Sequence, residues 1–445
     1  MARKLFGTDG IRGVAGEFPM DAKTAYAFGV ALGGWAKQHD PNPEVVIGMD
    51  TRESGTWLAR NVAGGLSEHG VITRFAGIIT TPGIAYLTRT HHFVAGVMIS
   101  ASHNPYRDNG LKAFDHSGFK VPDDQELELE KVIFDTLESG RPAREVELAV
   151  DETLDETYVD FLASVADVPL AGMRIVLDCA NGGASHLAPE LFRRLGADVV
   201  HAIGVSPNGQ NINLDCGALH VECLREDVLR HNADAGAAFD GDADRAILVS
   251  RSGKIIDGDS ILLIAAMELA DAGRLNEVIA TVMSNLGLER ALQAHGIGLV
   301  RTPVGDKYVL EEMIRRGVIL GGEQSGHVIF RDNATTGDGM LTAVRTLEVV
   351  KKTGRDLDDL TADLKVYPQL LVNVRVKERK PLEQLPEVQR EIRNAEETFG
   401  ASGRVLVRFS GTEPLARVMV EGPTAEQVDL FANRIAGAIR NELGS

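Results

Sequence analysis

Three short apolar runs set the rhythm of the chain. Each stops abruptly at polar or glycine residues before a helical pattern begins. They are Val45-Val46-Ile47-Gly48-Met49-Asp50, Arg174-Ile175-Val176-Leu177-Asp178-Cys179 and Val278-Ile279-Ala280-Thr281-Val282-Met283. Continuous apolar runs of this length suit strands buried on both faces of a sheet with parallel pairing. In such folds a ligand sits beyond the carboxyl ends of the strands. The spacing predicts three similar α/β modules of roughly 100–150 residues. A different pattern closes the chain. Residues 370–376 alternate like a half-exposed strand, 404–409 form a further run, and Val428, Phe431, Ile435 and Ile439 recur at helical spacing. These predict a small C-terminal α+β module. The charged stretch 139–152, with Pro142, and the segment Val366-Tyr367-Pro368 mark module boundaries.

Composition narrows the partners. The chain has 445 residues with 46 Lys plus Arg against 64 Asp plus Glu, a formal net charge of −18. Nucleic acid and anionic membranes want clustered cationic surface, so neither is expected as the main partner. An anionic ligand would need a local basic pocket. Glycine, at 47 residues, is enriched and points to loops where backbone approaches a ligand. The longest apolar stretch, 261–267, is far shorter than the roughly 20 residues that span a bilayer. Cys179, Cys216 and Cys223 form no CxxC pair and read as reduced thiols. With a start that turns polar at once, the expected location is cytoplasmic.

Four segments carry candidate chemistry. Ser100-Ala101-Ser102-His103-Asn104-Pro105 follows an apolar run, with Asn109-Gly110-Leu111-Lys112 beyond it. A serine at a strand end is placed to act as nucleophile or phosphate carrier, although a capped turn would look the same. Asp240, Asp242 and Asp244 alternate in Phe239-Asp240-Gly241-Asp242-Ala243-Asp244-Arg245. If that segment is extended, three carboxylates converge on one side and call for a hard cation, Mg²⁺ or Ca²⁺. The alternative is a solvated acidic turn. An EF-hand is excluded, because its sixth and twelfth places hold Arg245 and Arg251. Gly321-Gly322-Glu323-Gln324-Ser325-Gly326-His327 offers a carboxylate and a hydroxyl between glycines, suited to vicinal sugar hydroxyls or simply to a turn. Arg408-Phe409-Ser410-Gly411-Thr412-Glu413-Pro414, with Arg417, reads as a phosphate cradle or a capped strand-to-helix turn. Two further loops offer Arg12 (residues 6–13) and Lys307 (residues 302–307).

Taken in order, these segments resemble the α-D-phosphohexomutases over nearly the whole chain. The opening KLFGTDGIRG and the form GEQSGH resemble the branch acting on glucosamine phosphates; Phe409 stands where many relatives have proline or alanine. The resemblance implies an α/β fold of three similar modules with mixed sheets plus a smaller C-terminal α+β domain, arranged around a central cleft. It implies domains at 1–153 with the phosphoserine loop, 154–254 with the metal loop, 255–367 for sugar recognition and 368–445 for phosphate binding. Ser102 is then the serine that bears the transferable phosphoryl group. Asp240, Asp242 and Asp244, with Ser102, are ligands of one Mg²⁺ per subunit. Arg12, Lys112, Arg245 and His327 line the reacting centre. Glu323 and Ser325 read sugar hydroxyls, and Thr302, Gly305 and Lys307 also bind the substrate. Arg408, Ser410, Gly411, Thr412 and Arg417 hold the non-reacting phosphate. The implied reaction is phosphoryl exchange on a sugar phosphate through a hexose 1,6-bisphosphate, leading toward amino-sugar nucleotides and cell-wall precursors, in a possible homodimer. Readings as a phosphomannomutase or phosphoglucomutase, or as a metal-dependent sugar phosphatase, stand as alternatives. A lysine such as Lys112 could accept a proton only if its surroundings lowered its pKa.

Overall fold

A computed structural model describes residues 4–7, 9–410 and 414–444. The chain forms two compact units, Met1–Met283 with Ile297–Ala362, and Ser284–Gly296 with Asp363–Ser445.

The first unit holds three sheets. Strands β1 (Ile11–Val14), β2 (Glu44–Met49), β3 (Ile72–Ile78), β4 (Ala95–Ile99) and β5 (Asp108–Asp115) are ordered β1-β5-β4-β2-β3. Strands β6 (Arg174–Asp178), β7 (Asp198–Ile203), β8 (Ala235–Phe239), β9 (Ala246–Ser250) and β10 (Ile255–Ile256) are ordered β10-β9-β8-β6-β7. Strands β11 (Glu277–Thr281), β12 (Gly298–Thr302), β13 (Leu320–Gly322) and β14 (Val328–Phe330) are ordered β12-β11-β13-β14.

The three apolar runs become β2, β6 and β11, each flanked by parallel neighbours on both sides. Their near-continuous burial explains why they lack the alternation of half-exposed strands. Each sheet then repeats one device. A parallel strand (β4, β8 or β13) turns back into an antiparallel partner (β5, β9 or β14). The loops at these reversals are 100–107, 240–245 and 323–327, so three separate motifs occupy one topological position. The sheets are mixed, as expected.

The second unit has a three-stranded antiparallel sheet, β15 (Gln369–Arg375), β16 (Arg404–Phe409) and β17 (Leu415–Glu421), ordered β15-β17-β16. Its core joins Val374 and Val418 of the sheet to Val388 and Phe399 of helix Pro386–Phe399 and to Phe431 and Ile435 of helix Ala425–Leu443. That last helix is the amphipathic tail read from the sequence. Helix Leu286–Ala294 also belongs to this unit: Leu286 N donates to Glu421 Oε1 at 2.8 Å, and Asn285 Nδ2 donates to Tyr367 O at 3.0 Å. Among the described residues no helix is long and apolar enough to cross a membrane; residues 261–267 lie in the buried helix Gly258–Asp271.

Candidate active site

Ser102 sits in the β4–β5 loop with φ at +52°. The left-handed region costs a non-glycine residue roughly 1–3 kcal/mol and persists only where the surroundings impose it. Here they do. Ser102 N donates to Ser100 Oγ at 2.9 Å, and Ser100 Oγ donates to Asp50 Oδ2 at 2.6 Å. Arg52, a fully buried guanidinium, donates Nε to Asp50 Oδ2 at 2.9 Å, Nη2 to Ser102 O and Asn104 O, both at 2.9 Å, and Nη1 to Asp108 O at 3.0 Å. Both Asp50 and Arg52 follow β2, at the carboxyl end where the fold puts ligands.

The metal loop corrects one expectation. Residues 240–245 are not extended; β8 ends at Phe239, and Ala243 N closes a turn on Asp240 O at 3.0 Å with Ala243 at φ +53°. The carboxylates converge through the turn rather than through strand alternation. Asp240, Asp242 and Asp244 are all buried, with one oxygen from each lying within 4.8 Å of the others. Ser102 Oγ donates to Asp240 Oδ2 at 2.7 Å. Asp242 Oδ2 accepts from Lys112 Nζ at 2.8 Å and from the Thr81 hydroxyl. Asp242 Oδ1 and Asp244 Oδ1 are buried without a hydrogen-bond partner. Unpartnered buried carboxylate oxygens are costly, and a hard dication with oxygen ligands answers both the missing partners and the repulsion. The donor set therefore fits Mg²⁺ or Ca²⁺. Burial, reinforced by Asp244 and Asp242, pushes the Asp240 carboxyl well above its ordinary range. Asp244, which burial alone would also raise, is held low by His327, Lys112 and Arg245.

Lys112 on β5 is 1% exposed, with Nζ 2.8 Å from Asp242 Oδ2 and 2.9 Å from Asp9 Oδ2. Burial alone would lower its pKa, but Asp242, Asp9 and Asp244 outweigh it and the ammonium is held protonated. With these carboxylates around it, Lys112 faces the site as a cation. Asp9 continues the chain of charges to Lys120 Nζ at 2.5 Å, and Lys120 reaches Asp306 Oδ2 at 2.6 Å. Arg12 on β1 pairs with Asp9, and its Nη1 lies 3.5 Å from Ala101 O. Arg245 N donates to Asp240 Oδ1 at 3.2 Å, and its guanidinium is 3.8 Å from Asp244 Oδ1. His327 is buried; its Nε2 accepts from Gly337 N at 3.0 Å, so the ring proton belongs on Nδ1, 3.7 Å from Asp244 Oδ2.

Of these groups Asp9, Arg12, Ser102, Asp244, Arg245, Asp306 and His327, with Glu323, line a cavity of about 420 Å³. A second cavity of about 500 Å³ shares Arg245, Val304 and Glu323 with it and adds Asp257, Gln324 and Ser325. Glu323 Oε1 accepts from Gly305 N at 3.0 Å, and Ser325 Oγ lies 3.4 Å from Glu323 Oε2. Two expected residues face elsewhere. Thr302 is buried at the end of β12, its hydroxyl donating to Pro303 O at 3.0 Å, and Lys307 pairs with Asp123 along a separate cleft. In the second unit Arg408 on β16 lies directly opposite Arg417 on β17. Burial and the facing Arg417 lower the Arg408 pKa. Two facing guanidiniums present planar donor forks that suit an anion. Ser410 is buried, its N–H donating to Leu415 O at 2.8 Å; Gly411 and Thr412 lie outside the described residues.

The sequence reading passed over Arg52, Thr81 and Lys120, and quoted Asp9 and Asp306 only as loop members. A buried arginine gives little local signal when most of its partners are main-chain carbonyls 50 to 56 residues away. A polar triplet ending a buried strand, Asp50-Thr51-Arg52, was the available clue.

Comparison with known proteins gives these features a family. The four domains described for phosphoglucomutase/phosphomannomutase match in order: alpha/beta/alpha domain I at residues 3–139, domain II at 156–253, domain III at 257–367 and the C-terminal domain at 371–438. A phosphoglucosamine mutase from Solibacter usitatus is 62% identical over 446 residues, covering 100% of each chain. One from Koribacter versatilis is 49% identical, covering 99% of this chain and 98% of that one. Among solved structures, a phosphoglucomutase/phosphomannomutase family protein from Burkholderia thailandensis superposes with a TM-score of 0.82 at 24% identity, covering 98% of this chain and 97% of that one. An Aspergillus fumigatus N-acetylphosphoglucosamine mutase, solved with GlcNAc-6P and magnesium, has a TM-score of 0.64 at 20% identity, covering 99% and 96%. These last two show the fold, while the full-length relatives and matched domains show the family. The chain belongs to the phosphoglucomutase/phosphomannomutase family and, within it, to the phosphoglucosamine mutases.

Proposed function

We propose that the protein is an isomerase that interconverts glucosamine 6-phosphate and glucosamine 1-phosphate, supplying the synthesis of UDP-N-acetylglucosamine. Phosphoryl transfer runs through a phosphoserine at Ser102 and a 1,6-bisphosphate intermediate. The observation that carries this reading is Ser102 Oγ, 2.7 Å from Asp240 within three buried carboxylates whose free oxygens want a cation.

In the first half-reaction the P–Oγ bond of phosphorylated Ser102 breaks as the sugar C1 oxygen bonds the phosphorus, and the proton of that hydroxyl ends on Ser102 Oγ. In the second, the C6 phosphoryl group passes back to Ser102 Oγ, whose proton ends on the C6 oxygen. Between the two the bisphosphate turns over within the site. Asp240, Asp242 and Asp244, with an oxygen of the Ser102 phosphate, would hold Mg²⁺, which supplies charge neutralisation for the transferring group. Arg245 and Arg12 add fixed positive charge around the same cavity, and Lys112 adds it beside Asp242. His327, anchored by Gly337, orients toward Asp244. Glu323 and Ser325 read the sugar, with Gly305 N steadying Glu323. Arg408, Arg417, Ser410, Gly411 and Thr412 hold the phosphate that is not reacting. Thr302 and Lys307 flank Gly305 and complete the proposed substrate-binding segment. In this scheme the working modules are 1–153, 154–254, 255–367 and 368–445, in a cytoplasmic homodimer.

The test is interconversion of the two glucosamine phosphates with Mg²⁺ and a trace of glucose 1,6-bisphosphate, run beside glucose and mannose phosphates. Preference for the amino sugar supports the reading. Preference for glucose or mannose phosphates overturns the substrate, and release of free phosphate overturns the reaction class.

A further inference from the structure

The main chain of Ser102 is held by groups that the transfer chemistry does not use, and one of them comes from another sheet. Ser102 O accepts from Arg52 Nη2 at 2.9 Å and from Asn213 Nδ2, also at 2.9 Å. The Asn213 amide reaches Asn104 O at 3.3 Å as well. Arg52 belongs to the segment after β2. Asn213 belongs to the loop after β7, anchored by its own N–H on Ala180 O at 2.9 Å. Asn213 is itself at φ +58°, a conformation asparagine tolerates better than most residues.

The same amide abuts the metal loop. A Cβ added at Gly241 would lie 2.5 Å from Ser102 O and 2.8 Å from Asn213 Nδ2, so this close approach admits only glycine. Ser102 O, Gly241 and the Asn213 amide therefore meet at one point, between the loop that presents the Ser102 hydroxyl and the loop that presents Asp240, Asp242 and Asp244. Arg52 fixes the serine loop to its own sheet; Asn213 fixes it to the sheet that carries the carboxylates.

We propose that Asn213 is a positioning residue for phosphoryl transfer: by donating to the Ser102 carbonyl beside Gly241, its amide sets the Ser102 hydroxyl in register with the Asp240 turn. The inference rests on the proposed role of Ser102. A misplacement of about 1 Å in a reacting group can cost roughly 100-fold in rate, which is the scale at issue when one of two donors is lost from a strained serine.

The test uses the full-length protein with two substitutions. Asn213→Gly keeps the left-handed backbone without strain and deletes the donor. Asn213→Asp keeps the shape and points a carboxylate at two carbonyl oxygens. Each is assayed for kcat and KM, for thermal midpoint, and for the rate at which glucose 1,6-bisphosphate phosphorylates Ser102, read by intact mass. The expected result is a fall in kcat and in phosphorylation rate of roughly 10- to 100-fold, with KM little changed and Asn213→Asp at least as impaired as Asn213→Gly. Unchanged rates, or losses that follow only the folded fraction, overturn the inference. The two layers separate cleanly. Wild type that phosphorylates Ser102 but ignores glucosamine phosphates defeats the substrate reading alone. Variants that phosphorylate at the wild-type rate defeat the inference alone, and wild type that never labels Ser102 defeats both.

Discussion

Asp338 shows at the scale of one residue how burial writes pH dependence into the fold. It caps helix Gly339–Thr353 through Oδ1, and its Oδ2 accepts from Tyr158 OH at 2.7 Å. Burial raises its pKa from 3.8 to about 6, only partly offset by the Leu341 N–H and the Tyr158 hydroxyl. The folded protein thus binds a proton between pH 4 and 6 that the unfolded chain has released, so this group's contribution to stability falls as pH rises through that window. The difference amounts to about 3 kcal/mol. Asp338→Asn keeps an acceptor for the cap and cannot ionise. Its stability relative to wild type, followed by denaturant unfolding without added metal, should rise between pH 4 and 7 by up to that amount; a flat difference would refute the assignment. Arg417 makes a second case. Since Arg408 faces it across the sheet, Arg417→Ala should raise KM for the sugar phosphate roughly tenfold or more while kcat changes less. A drop in midpoint with KM intact would mean that the pair is structural.

Elements explain what single residues cannot. The turn before helix Gly258–Asp271 packs on the β13–β14 hairpin loop: Gly258 N donates to Gln324 O at 3.0 Å, and a Cβ at Gly258 would lie 2.0 Å from Glu323 O. Because the obstacle is backbone, Gly258→Ala must displace the 323–326 loop. The expected cost is roughly 1–3 kcal/mol of stability, with KM raised more than kcat is lowered; a variant kinetically identical to wild type would show that the loop does not read the sugar. Much at this scale was legible in advance. Runs 45–50, 174–179 and 278–283 announced β2, β6 and β11 because buried parallel strands need no polar face. The three alternating carboxylates announced a cluster that could hold a cation, and the structure brings one oxygen of each within 4.8 Å of the others. The turn that gathers them was not legible, since it hangs on Ala243 at positive φ and neither alanine nor serine advertises that conformation. Nor was the ion-pair chain Asp9–Lys120–Asp306, whose successive links span 111 and 186 residues.

For the whole molecule, the division into units crosses the order of the sequence. Residues 284–296 join the second unit through Leu286 N on Glu421, Asn285 with Tyr367, and Arg404 Nη2 on Ser284 O at 2.6 Å. A chain ending at residue 362 would strip helix Leu286–Ala294 of all these partners. Such a chain should melt at lower temperature and bind a hydrophobic dye, since Leu288 and Leu292 are fully buried in the intact protein; an unchanged midpoint without dye binding would show that the helix is held from elsewhere. The acidic total of −18 is compatible with the proposed anionic substrate because the cations proposed to meet phosphate are grouped within each unit: Arg12, Lys112 and Arg245 in the first, Arg408 and Arg417 in the second. The central claim is that phosphate travels by way of Ser102. It is tested most directly by incubating the protein with Mg²⁺ and ³²P-labelled glucose 1,6-bisphosphate and mapping the label by peptide mass spectrometry. The account predicts label on Ser102, chased off by glucosamine 6-phosphate and absent from Ser102→Ala together with interconversion. Label on Asp240, Asp242 or Asp244, or interconversion that survives in Ser102→Ala, would contradict it.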